Sequence, residues 1–110
     1  MESTQSVSFG LSEHAINALR RLFAGVPEIQ KVILYGSRAR GDFRNASDID
    51  FMLFSTTNLS TVFSKIEMDL DDLLLPYQIE IRDWSKIQDP HFREVIRREG
   101  VLFYEREEEL

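Results

Sequence analysis

The chain has 110 residues, 43% hydrophobic and 29% charged, with eight Phe, no cysteine and a formal net charge of -6. That length suits one core with little surface left for a separate substrate-binding module, and the composition excludes a wholly disordered chain. Without thiols there is no disulfide or thiolate metal site, and the acidic balance disfavours nucleic acid as the main partner while suiting a basic protein surface.

Residues 1–11 read as a flexible lead-in. The N-terminus lacks a basic region followed by an apolar run, and no stretch of eighteen apolar residues occurs, so a cytoplasmic protein without a membrane segment is expected. Ser12 and Glu13, followed by Ile16, Leu19, Leu22 and Phe23 at helical spacing, predict an amphipathic helix ending near Gly25 and Pro27. Lys31 to Tyr35 predicts a strand that stops at Gly36 and meets a short helix. A second strand is expected from Asp48 to Phe54, then a polar loop from Ser55 to Asn58.

From Leu59 onward, Val62, Phe63, Ile66, Leu70, Leu73 and Leu74 predict the longest helix, with Pro76 beyond its end. A third strand is expected over Tyr77 to Ile81, with Tyr77, Ile79 and Ile81 on one face and Gln78 and Glu80 on the other. Asp89 and Pro90 form a cap and first turn for a last helix carrying Phe92, Val95 and Ile96, with Arg97 and Arg98 near its end and Gly100 after it. Val101 to Tyr104 predicts a terminal strand, and the charge run from Glu105 to Leu110 a solvated end. The expectation is an α/β (α+β) fold in one domain over 12–104, with flexible termini at 1–11 and 105–110, a small mixed sheet, and helices mainly on one face.

The segment from Gly36 to Asp50, GSRARGDFRNASDID, carries the chemistry. Residues two apart in a strand share a face, so Asp48 and Asp50 stand side by side while Ile49, Phe51 and Leu53 turn away. Glu80 supplies a third carboxylate from a strand that could lie beside the pair. Carboxylates so grouped suit magnesium, which prefers oxygen and keeps positions open for substrate. Gly36 lets backbone approach phosphate oxygens, and Ser37 adds a hydroxyl donor. The turn is not a Walker A loop, because the Gly-Lys-Ser or Gly-Lys-Thr ending is absent. Ser47 is placed to orient the turn before the Asp pair. Arg40 is divided between triphosphate contact and an ion pair with nearby acids, and Arg38 reads as a surface or packing residue. His14 and His91 lack a ligand cluster, and Tyr35, Tyr77 and Trp84 read as packing around strand ends.

These residues resemble the nucleotidyltransferase fold of the DNA polymerase beta superfamily, whose signature is Gly-Ser, a few residues, Arg-Gly, then Ser-Asp-x-Asp; here it stands as GSRARG and SDID. Length and the segment from Asp83 to Glu105 further resemble the minimal nucleotidyltransferase (MNT) antitoxins encoded beside HEPN-domain proteins. The resemblance implies AMP transfer from ATP to a tyrosine hydroxyl of a HEPN RNase toxin, in a hetero-oligomer, with a homodimer compatible with the chain alone. It places the triphosphate turn on Gly36 and Ser37, beside which Arg40 is the candidate cation from the residue reading, and two Mg2+ ions, with Mn2+ as a substitute, on Asp48, Asp50 and Glu80. The family's third carboxylate is usually Asp; Glu80 adds a methylene. The alternative is a non-catalytic antitoxin that masks its HEPN partner by binding.

Overall fold

The structure, a computed structural model, describes residues 7–44 and 46–107. It begins with a hairpin of β1 (Val7–Ser8) and β2 (Leu11–Ser12), turned by Phe9 and Gly10, whose φ values of 58° and 73° are of the sign that a two-residue turn of matching twist uses. The expected lead-in is therefore structured over residues 7–11, where Leu11 is fully buried. Two-residue strands are too short to show a period, which is why the sequence did not announce them. The rest of that expectation, residues 1–6, lies outside the described residues, as does the end of the tail at 108–110.

Ser12 Oγ accepts a hydrogen bond from the Ala15 amide and caps α1 (Glu13–Ala24), closed by Gly25. Next come β3 (Ile29–Tyr35), the one-turn α2 (Ser37–Arg40) and β4 (Ile49–Ser55). The third long segment differs from expectation at both ends. Residues 60–62 form a turn, so α3 spans only Phe63–Asp72, and Leu74 lies past its end at φ 54° with 87% of its surface exposed. Its apolar spacing thus overruns the helix. β5 runs over Ile79–Asp83, two residues later than expected, because it is zipped to β4 from Ile49↔Ile79 to Leu53↔Asp83. Tyr77 stays outside the ladder. Asp83 Oδ1 then accepts from the Ser85 amide and hydroxyl and caps an unforeseen 3-10 turn, Trp84–Lys86. Asp89 and Pro90 open α4 (Pro90–Glu99) as expected, and β6 is Val101–Glu105.

The sheet order is β5-β4-β3-β6, with β3 antiparallel to β4 and β6, and β4 parallel to β5. That parallel pair requires a crossover, which α3 supplies. One face carries Val32, Leu34, Ile49, Phe51, Leu53 and Phe103, all buried with Ile16, Leu19 and Phe23 of α1 and Ile66 and Leu70 of α3. Phe23 meets Phe51 edge-on at 5.2 Å, a favoured aromatic geometry. The other face carries Ile33, Tyr35 and Met52. α4 packs there, with Phe92 edge-on to Tyr35 at 5.8 Å and Ile96 buried. Two of the three long helices thus share a face, and the third sits across the sheet. Arg106 donates to the carbonyls of Ala24, Val26 and Ile29, which ties the start of the expected solvated tail to the body. Among the described residues no helix is long and apolar enough to cross a membrane.

Candidate functional site

At its exit β3 places Tyr35 directly across from Asp50. The next residue, Gly36, has φ 83° and ψ -161°, a backbone state that L side chains rarely adopt. A Cβ there would also lie 2.6 Å from Asp50 Oδ2. Glycine is required at this point twice over, once for the backbone and once for the carboxylate packed against it. Ser37 opens α2 and is half-buried, its carbonyl accepting from the amides of Gly41 and Asp42 at 2.9 and 3.1 Å.

Asp50 and Glu80 are aligned in the parallel β4–β5 ladder, so both side chains leave the face away from α1 and α3. Asp48 precedes β4 and is exposed, as is Glu80, while Asp50 is half-buried. Burial pushes the Asp50 carboxyl above its ordinary value of 3.8, the negative charges of Glu80 and then Asp48 push it further, and Arg82 opposes them. Tyr35 is raised likewise, by burial and then by Asp50, against the positive charge of Arg82.

The three sequence-predicted carboxylates therefore share one electrostatic neighbourhood. Among the described residues, however, no three His, Cys, Asp or Glu side chains converge closely enough to form a metal shell. The donor set is all oxygen, which fits a hard divalent cation, and the mutual repulsion around Asp50 is what such a cation relieves. A cavity of about 520 Å³ lined in part by Ser60, Phe63, Asp83 and Lys86 does not include these carboxylates.

Arg40 bonds Asp42 at 3.3 Å and lies 3.6 Å from Glu99, linking α2 to α4 through the ion-pair arrangement the sequence left open. Ser47 Oγ accepts from the Arg44 amide at 2.8 Å, which folds the turn leading to Asp48. Arg38, 2% exposed, is no surface residue. Its Nε and Nη2 donate to the Ser47 carbonyl at 3.2 and 3.0 Å, and its Nη1 to the Phe9 carbonyl at 2.8 Å. Its guanidinium also lies over the rings of Phe43 and Tyr77, 5.2 and 5.1 Å from their centres. One guanidinium thus joins the hairpin, α2 and the turn before the Asp pair. His14 and His91 are exposed on helices. Sequence reasoning passed over Arg82 because the expected strand stopped at Ile81; with β5 running to Asp83, its spacing of two from Glu80 puts both on one face.

Comparison with known proteins agrees with this geometry. The family model described as polymerase beta, nucleotidyltransferase matches residues 17–109. A relative from Methanocaldococcus jannaschii, named as a protein adenylyltransferase, is 39% identical over 67 residues, 60% of each chain. The chain spans less than two thirds of the length of the curated relatives it matches. Among solved structures, a chain of a toxin-antitoxin crystallised with AMP-PNP superposes with a TM-score of 0.68 at 18% identity, covering 83% of this chain and 73% of that one. A chain of the complex of tri-AMPylated Shewanella oneidensis HEPN toxin with MNT antitoxin gives 0.63 at 16% identity, covering 86% and 72%. At those identities the likeness is one of fold, and it is the fold expected from the Gly-Ser and Asp-x-Asp spacing. With the family model spanning nearly the whole chain and its signature residues gathered at one end of the sheet, the chain belongs to the polymerase beta nucleotidyltransferase family.

Proposed function

We propose that the protein transfers AMP from ATP to a protein hydroxyl, with a tyrosine of a HEPN-type RNase toxin as acceptor, and so acts as the antitoxin of a cytoplasmic two-protein system. The observation that carries this is the alignment of Asp50 with Glu80 on one sheet face, against a glycine whose missing side chain leaves room for the Asp50 carboxylate. The relatives named above as a protein adenylyltransferase and as toxin-antitoxin complexes support the acceptor class and the partner. The catalytic unit is taken as residues 12–104.

In this reading the backbone and hydroxyl at Gly36 and Ser37 receive the triphosphate, with Arg40 beside them. Asp48, Asp50 and Glu80 would hold magnesium, which supplies charge neutralisation for the phosphates and a lower pKa for the acceptor hydroxyl. Glu80 accepts the proton of that hydroxyl. The hydroxyl oxygen bonds to the α-phosphorus as its bond to the pyrophosphate oxygen breaks, and pyrophosphate leaves. Arg38 and Ser47 hold the turn that presents Asp48. The decisive experiment incubates the protein with α-labelled ATP, Mg2+ and the HEPN-type partner, following label and intact mass. Label on the partner and a mass gain of one AMP less water support transfer. A folded, bound partner that stays unmodified favours the second reading, an antitoxin that masks by binding, which the unconverged carboxylates and Glu80 in place of Asp motivate.

Gly36→Ala gives a sharper test of the turn. Its Cβ must displace the Asp50 carboxylate by about 1 Å, and a displacement of that size costs on the order of a hundredfold in rate. Initial rates should fall by at least that factor while circular dichroism shows the fold retained. A variant within about threefold of wild type would separate the turn from the chemistry.

A further inference from the structure

Arg82 stands on β5 two residues after Glu80, so the two side chains leave the same face of the sheet. It is paired with Met52, two residues along from the Asp50↔Glu80 pair. Its guanidinium lies 5.7 Å from the centre of the Phe92 ring on α4, and its positive charge is felt at the Tyr35 hydroxyl on β3 as well as at Asp50. Its place on β5 and the Phe92 ring of α4 thus hold it beside the carboxylates. The residue is nevertheless exposed, and among the described residues it makes no ion pair within 4.0 Å. Its charge is felt at Asp50 without being consumed by a close partner.

A chain of net charge -6 with three clustered carboxylates repels a polyanion until positive charge is placed among them. A guanidinium is suited to that task because its planar fork matches phosphate oxygens and it never deprotonates at physiological pH. We propose that Arg82 is the built-in cation of this site: in the free protein it offsets the charge of Asp50 and Glu80, and in the nucleotide complex its fork engages a phosphate of the nucleotide. This rests on the reading of the site as one for nucleotidyl transfer.

Two effects of opposite sign follow from removing the charge. A divalent cation binding the free protein no longer competes with a fixed positive neighbour, so its affinity rises. The nucleotide loses a charge-assisted hydrogen bond, so its affinity falls. A residue that merely packs on Phe92 would weaken both or change neither. Titration calorimetry on the full chain separates these cases, with Mn2+ alone as the first probe and AMP-PNP in saturating Mn2+ as the second. For Arg82→Met the expected result is Mn2+ binding tighter by about threefold and AMP-PNP binding weaker by about tenfold or more. Arg82→Lys should restore Mn2+ affinity to the wild-type value and recover part of the nucleotide affinity, since it keeps the charge and loses the fork. Unchanged AMP-PNP affinity in Arg82→Met, or a parallel loss of both affinities, overturns the proposal and leaves the transfer reading standing. Wild-type protein that binds neither Mn2+ nor AMP-PNP overturns the transfer reading, and the role of Arg82 with it.

Discussion

Asp50→Asn is expected to abolish nucleotidyl transfer and, in the same protein, to raise the stability of the metal-free fold. Transfer should fall by about a thousandfold or more, since the residue is central to the charge that would hold metal against the nucleotide. The gain in stability follows from its raised pKa. Burial, then Glu80 and Asp48, make the folded state bind the Asp50 proton more tightly than the unfolded state does. Below the unfolded value of 3.8 both states are protonated and the group contributes nothing; as pH rises from there through the raised folded value, ionisation costs stability, and the cost persists at neutral pH. Because the residue is only half-buried, solvent screening limits the effect to about 0.5 kcal/mol, or roughly 2–4 °C in Tm. Thermal melts at pH 4 and pH 7 test it. The variant should gain over wild type at pH 7 and lose most of that gain at pH 4, and a variant less stable than wild type at pH 7 would refute the repulsion argument. Adding Mg2+ should stabilise wild type at pH 7 and leave Asp50→Asn unmoved.

The largest stability effect is expected from Arg38→Met. The substitution keeps much of the side-chain volume but removes the donors to the Ser47 and Phe9 carbonyls. Each buried acceptor left unpaired costs about 1–3 kcal/mol, so a loss of about 3 kcal/mol is expected, a large share of the stability of a domain of this size. Urea unfolding should show the midpoint fall with the slope unchanged. Activity should fall further than the folded fraction explains, because the released carbonyl belongs to the residue before Asp48. Arg38→Lys keeps the charge but not the fork, and should recover less than half of the loss. A cost below about 1 kcal/mol would mean that solvent replaces the guanidinium at both carbonyls.

The parts of the fold that were legible in the chain were those governed by period. Alternation placed Ile49, Phe51 and Leu53 in the core and Asp50 and Glu80 on the other face, because a strand repeats every two residues whatever surrounds it. Local capping chemistry likewise located α1 and α4 at Ser12 and Asp89. The errors fell where a distant partner sets the limit. β5 opens at Ile79 rather than Tyr77 because that is where β4, beginning at Ile49, meets it. No window of sequence around Ile79 contains that term.

The sequence by itself determined that a glycine turn would be followed by two aspartates, one just before β4 and one within it, and with that spacing the family and the class of chemistry. Those are consequences of backbone geometry and residue type over fifteen neighbouring positions. Only the tertiary structure decided that Glu80 lies beside Asp50, that Gly36 makes room for its carboxylate, that Arg38 is buried as a tie, and that Arg82 stands against Phe92 of α4. Each of these depends on strand order and register, which arise from burying one face of the sheet under α1 and α3 and so are properties of the whole chain.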